Sequence, residues 1–120
     1  MKTEPKFPRR GEIYWINFEP SLGQEIKKRR PAIIVSNDIA NKFLKRFQVI
    51  PVTSSIDKIY PSETVVTIAG KKSKAMADQI FTASELRFGK LIGKLSAHDL
   101  AALDAVIRLQ LGLNEAGDKT

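Results

Sequence analysis

The sequence predicts a mainly β fold, a small and strongly curved sheet or barrel with one helix at its C-terminal end. Three observations carry this. Five or six short runs of apolar, β-branched and aromatic residues are separated by Gly, Pro, Asn and Asp. The period changes only after Ser96, where Leu100, Leu103, Ile107 and Leu111 follow at spacings of 3, 4 and 4, one stripe of a helix. The chain has 120 residues and no internal repeat, the size of a single domain with its own core. Strands that come first and a helix that comes last pack as a sheet covered by that helix.

The elements follow in order. Residues 1–9 are polar, hold Pro5 and Pro8, and read as a loose arm. Glu12–Phe18 is rich in aromatic and β-branched residues and predicts the first strand. Glu19–Arg30 holds Pro20 and Gly23 and reads as a long charged loop, a kind that is often functional. Pro31 then opens a short apolar strand, Ala32–Ser36. Asn37–Arg46 carries Asn37-Asp38 and Asn41 and reads as a loop with room for one helical turn. Phe47–Thr53 is the third strand, in which Pro51 implies an edge position or a bulge. Alternation puts Ile50 and Val52 on one face and Thr53 on the other. Thr64–Ile68 and Lys74–Phe81 predict two further strands joined across Gly70-Lys71-Lys72, and Leu91–Leu95 a sixth. Ser96 is placed to cap the helix, Asp99 lies at its positive end, and Gly112 is placed to stop it. Residues 114–120 form a short tail.

Composition narrows the chemistry. There are no cysteines, which excludes disulfides and thiolate metal sites, and His98 is the only histidine, so no His cluster can hold zinc or nickel. The net charge is +7, unevenly spread: residues 1–95 hold 18 Lys/Arg against 9 Asp/Glu, and residues 96–120 hold 2 against 4. A basic body with a mildly acidic tail suggests a polyanionic ligand, a nucleic acid or an acidic protein. The N-terminus lacks the apolar segment of a signal peptide, and no apolar run approaches the ~18 residues that span a membrane. A cytoplasmic protein is the expectation.

The segment with most chemical content is Gly-Gln-Glu-Ile-Lys-Lys-Arg-Arg-Pro, Gly23 to Pro31. The residue before a proline is biased to extended backbone, so Arg30 is held at a loop–strand junction with its fork in a defined direction. A planar guanidinium so placed suits a phosphate, although a lone arginine also serves plain solubility. Glu25 is either a loop ion pair or a base or clamp beside Arg30. Thr53 and Ser54 end a strand, where hydroxyls cap turns or donate to a phosphoryl oxygen. Asp78 and Gln79 interrupt an apolar run and face solvent, a neighbouring loop or a base edge. Trp15, Phe18, Phe43 and Phe47 are mostly core, with Phe43 or Phe47, set among Lys42, Lys45 and Arg46, the better candidate to stack on a base. Lys71, Lys72 and Lys74 read as a solvated turn, and His98 as a surface residue.

These pieces in this order resemble the MazF/PemK family of toxin endoribonucleases. The resemblance covers about Arg9 to Leu113: Arg10 to Pro20 as an opening strand, Gly-x-Glu followed by Arg-Pro in Gly23 to Pro31, Pro51-Val52-Thr53-Ser54, and Ala77-Asp78-Gln79-Ile80. It implies an SH3-like β-barrel of five to seven strands with a C-terminal helix, a homodimer, and no cofactor or metal. It implies sequence-specific cleavage of single-stranded RNA to 2′,3′-cyclic phosphate and 5′-OH ends, and an acidic antitoxin as partner. By position, the family's catalytic arginine falls on Arg30, its threonine on Thr53, and the loop glutamate on Glu25. Lys27, Lys28 and Arg29 are then left to steer the RNA backbone, with Ser54, Asp78 and Gln79 as further substrate contacts. Gln24 and Ile26 depart from the family's usual serine and glutamine. Two alternatives stand beside this: a non-catalytic toxin resembling CcdB that binds DNA gyrase, and a passive single-stranded nucleic-acid-binding module.

Overall fold

The computed structural model describes residues 6–18 and 29–113. Within them the chain forms β1 (Glu12–Asn17), β2 (Arg29–Ile34), α1 (Asp38–Leu44), β3 (Arg46–Thr53), β4 (Glu63–Ile68) and β5 (Lys71–Met76). After a 3-10 turn at Ala77–Gln79 come β6 (Phe81–Ser84), a second 3-10 turn at Glu85–Arg87, β7 (Phe88–Lys94) and α2 (Ala97–Leu111). The strands run β4-β5-β3-β2-β1-β7, all pairs antiparallel, with β6 joining β3 alongside. The strip curls until β4 and β7, its two ends, meet. This is the curved, mainly β architecture with a C-terminal helix that the sequence predicts. No helix among the described residues is long and apolar enough to cross a membrane.

Strict alternation fills two cores from the same strands. Ile13, Ile33, Ile50 and Val52 pack with Val66 and Ile68 under Leu103 of α2. Their neighbours Ile16, Ala32, Ile34 and Val49 turn the other way, onto Phe47 and Ala83. Tyr14 and Phe47 both lie against Phe88, at 5.1 and 4.9 Å between ring centres. Phe47 is 1 % exposed, so Phe47→Ala is expected to lose about 3–5 kcal/mol of stability by leaving a cavity under these rings. Urea unfolding followed by circular dichroism measures it.

The predicted strand Lys74–Phe81 is in fact two strands around the first 3-10 turn, and Pro51 explains the break. Val52 pairs with Ala75 but Val49 with Phe81, so three steps along β3 face six on the partner. The three extra residues are Ala77–Gln79. On its other side β3 bonds to β2, where the Val35 N–H donates to the Gln48 carbonyl. By alternation the Pro51 nitrogen therefore points to the bulged side, where a ladder donor is not needed. Pro51 thus marks a central strand facing a bulge, not an edge.

Other boundaries also differ from expectation. β2 begins at Arg29, so Arg30 lies inside a strand rather than at a loop–strand junction. The β4–β5 turn is Ala69-Gly70, both at positive φ as a two-residue hairpin requires, so Lys71 and Lys72 already belong to β5. The segment after Asn37 is a seven-residue helix, α1, capped by the Asn37 side chain. The last strand starts earlier than predicted, at Phe88. Ser96 accepts from the Asp99 N–H as expected, and Gly112 at φ 71° closes α2 with Leu113 donating to the Arg108 carbonyl. Leu111, placed on the buried stripe by its spacing, is half exposed. Arg10 fastens the start of β1 to the helices: its backbone N–H donates to Asp38 and its guanidinium pairs with Asp104.

Candidate functional site

The β2–β3 register points Arg30 towards the end of β3 that carries Thr53. β2 and β3 pair Ile34 with Val49, Ile33 with Ile50 and Ala32 with Pro51. The paired stretch ends there; continued by two residues, the same register would set Arg30 level with Thr53. Alternation then puts Arg30 on the side of Ala32 and Ile34, and Thr53 on the side of Val49, which is one side of the sheet. Adjacent strands lie ~4.8 Å apart, so both side chains can reach one phosphate group. Arg30 is exposed and, among the described residues, no ion pair or hydrogen bond engages its guanidinium. The Thr53 hydroxyl accepts from the Ser55 N–H at 3.3 Å, the turn-capping contact expected of it. That contact uses a lone pair, and the hydroxyl proton remains a donor.

Arg29 has the opposite parity. Its guanidinium lies 5.9 Å from the centre of the Trp15 ring. Trp15 is partly exposed at the rim of a cavity of about 350 Å³, lined also by Pro31, Thr53, Ser54, Lys71 and Ser73. Of the four aromatic candidates, Trp15 is the one that lines this cavity. Phe47 is buried, which corrects its reading as a stacking residue, and Phe18 packs on Phe81 at 4.9 Å. Phe43 is exposed beside Lys42 on α1.

Asp78 and Gln79 sit on the 3-10 turn rather than in a strand, both exposed, and neither lines this cavity. Glu25, Lys27 and Lys28 lie outside the described residues. His98 is a surface residue, with its side chain 92 % exposed. Among the described residues no three His, Cys, Asp or Glu side chains gather as metal ligands would.

Two features escape the sequence. Lys74, read as part of a solvated turn, is buried opposite Thr53 in the β3–β5 register. Its ammonium pairs with Glu63 at 2.9 Å and donates to the Lys58 carbonyl at 2.9 Å. The Tyr60 N–H, and then Lys74, hold the Glu63 carboxyl below the usual carboxylate range. Local pattern does not flag Lys74, because β5 is buried without alternation from Ser73 to Met76.

The second feature is Tyr14, whose hydroxyl donates to Glu12 at 3.0 Å. Burial, with the neighbouring Glu12, pushes its phenol up to about 12 from 10.0. A raised acid stabilises the fold below its unfolded pKa, and that contribution is lost as pH rises through the folded one. Stability is therefore expected to fall between about pH 10 and 12, and less steeply in Tyr14→Phe, as thermal melts across that range will show.

Comparison with known proteins identifies the family and the fold. Residues 9–111 match the family described as PemK-like, MazF-like toxin of type II toxin-antitoxin system. The chain is 40% identical over 114 residues to endoribonuclease MazF9 of Mycobacterium tuberculosis, covering 88% of this chain and 97% of that protein. It is similar to the crystal structure of MazF from Deinococcus radiodurans, with a TM-score of 0.77 and 28% identity over 91% of this chain and 100% of that one. The MazE–MazF complex of the same organism gives a TM-score of 0.75 and 29% identity, over 92% and 100% of the two chains. A family match over most of the chain, a 40%-identical relative of nearly equal length and a shared fold have one meaning: this protein belongs to the PemK-like, MazF-like toxins of type II toxin–antitoxin systems.

Proposed function

We propose that this toxin is an endoribonuclease that cuts single-stranded RNA by transesterification, without a metal or cofactor. The observation that carries the reading is the β2–β3 register, which, continued two residues past Ala32–Pro51, sets Arg30 level with Thr53 on one side of the sheet. The RNA 2′-oxygen attacks its own phosphorus. A P–O2′ bond forms, the P–O5′ bond breaks, and the products are a 2′,3′-cyclic phosphate and a 5′-OH. Arg30 binds the phosphate and assists the leaving 5′-oxygen by hydrogen-bonding the charge that develops there, the proton of the 5′-OH coming from water, while Thr53 donates to a non-bridging oxygen on which charge builds. Arginine stays protonated near neutrality and is a poor base. Glu25 is assigned the 2′-OH proton.

Lys27, Lys28 and Arg29 steer the backbone, Trp15 with the adjoining cavity receives a neighbouring base, and Ser54, Asp78 and Gln79 contact the flanking nucleotides. The protein works in the cytoplasm as a homodimer, held inactive by an acidic antitoxin. Relatives solved with their antitoxin and the +7 charge of this chain support that partner.

The test is incubation of the purified protein with a long transcript in EDTA, followed by mapping of the ends. Discrete cuts with cyclic-phosphate ends are expected. Intact RNA would overturn the reading in favour of a gyrase-binding toxin or a passive RNA binder.

A further inference from the structure

Lys74 is buried, yet its charge is fully engaged by one short segment of chain. It stands on β5 directly opposite Thr53. Its three partners all belong to the stretch that leaves β3 after Thr53 and returns as β4. The ammonium donates to the Lys58 carbonyl, pairs with Glu63, and lies 5.5 Å from the centre of the Tyr60 ring. Glu63 closes the loop on itself by accepting from the Tyr60 N–H at 2.9 Å, while the Glu63 N–H donates to the Tyr60 carbonyl at 2.8 Å. The segment in question, Ser54–Ser62, holds Ile56, Ile59 and Tyr60 exposed, so little apolar burial pins it. A buried ammonium with a carboxylate and a carbonyl is a costly device for a surface loop, and apolar residues would fill the space as well. What the pair supplies is a single geometry.

We propose that Lys74 is a positioning residue for RNA cleavage: with Glu63 it clips the 54–62 loop and so fixes the Thr53–Ser54 turn against the scissile phosphate. The inference rests on the ribonuclease reading above. Lys74 touches no substrate. It acts through the Thr53 hydroxyl, whose turn contact to Ser55 lies at the root of the clipped loop.

The test compares Lys74→Met and Lys74→Arg with the wild-type full-length protein, in steady-state cleavage of a short RNA and in amide hydrogen exchange. Lys74→Met is expected to lower kcat about tenfold with KM within about twofold, because a small misplacement of a transition-state donor costs turnover more than binding. It is also expected to speed exchange at residues 54–60. Lys74→Arg restores both. A purely packing role would lower the melting temperature and leave kcat per folded molecule unchanged, which overturns the proposal, as does unaltered exchange in the loop. Should Lys74→Met not fold, Glu63→Gln carries the same readouts. If wild-type protein leaves RNA intact, the ribonuclease reading fails, and the exchange data decide separately whether the clip exists.

Discussion

Replacing Arg30 with alanine is expected to slow RNA cleavage by about 10²-fold or more, the range for losing one transition-state contact. The loss should appear in the single-turnover rate constant for cleavage, since the charge that Arg30 meets is largest when five oxygens surround phosphorus. Binding should weaken little, because other cations remain in the basic body. Arg30→Lys keeps the charge and loses the fork, so it should fall between wild type and alanine. Arg29→Ala serves as the matched control: the same charge is removed from the opposite side of β2, where the guanidinium lies by Trp15. Full activity in Arg30→Ala, or equal losses in both alanine variants, would remove Arg30 from the role assigned to it.

The second large effect belongs to the substrate. An oligonucleotide with a single 2′-deoxy residue on the 5′ side of the cut should resist cleavage completely while binding almost as well as the all-RNA strand. The nucleophile is gone, but phosphate contacts and stacking surfaces are intact. Gel analysis of cleavage beside fluorescence anisotropy separates the two quantities. If the deoxy strand is cut, water rather than the 2′-oxygen is the attacking group, and the cyclic-phosphate route is wrong even if Arg30 matters.

How much of this could be read from the chain depended on whether a feature was local. The capped helix from Ser96 and the alternation in Phe47–Thr53 are properties of neighbouring residues, and both were legible. Pro51 announced a bulge, but a single chain does not reveal that the extra residues sit on the facing strand, at Ala77–Gln79. Lys74 misled for a related reason. In Lys-Lys-Ser-Lys it looks like one more solvated cation, and only the return of Lys58, Tyr60 and Glu63 over it makes a buried ion pair. The start of β2 was placed too late because charged Arg29 and Arg30 read as loop, whereas pairing with Asn17 and Ile16 extends the strand over them. Arg30 and Thr53 were each legible as candidates by residue type and neighbourhood. Their adjacency is long-range, set by how β2 lies along β3.

That register has a consequence for how the toxin can vary. Arg29 and Arg30 are chemically identical neighbours, and only odd or even position in β2 separates the one beside Trp15 from the one on the opposite side of the strand. On the mechanism proposed above, the spacing from Arg30 to Ala32 and Ile34 is thus part of the active site although neither apolar residue is assigned a contact with RNA. The length of the charged segment before Arg29 can drift between relatives at little cost, since loop closure depends weakly on length. One residue gained or lost between Arg30 and Ala32 would exchange the two arginines between the faces of β2 and, on the proposed mechanism, aim the wrong one at the phosphate.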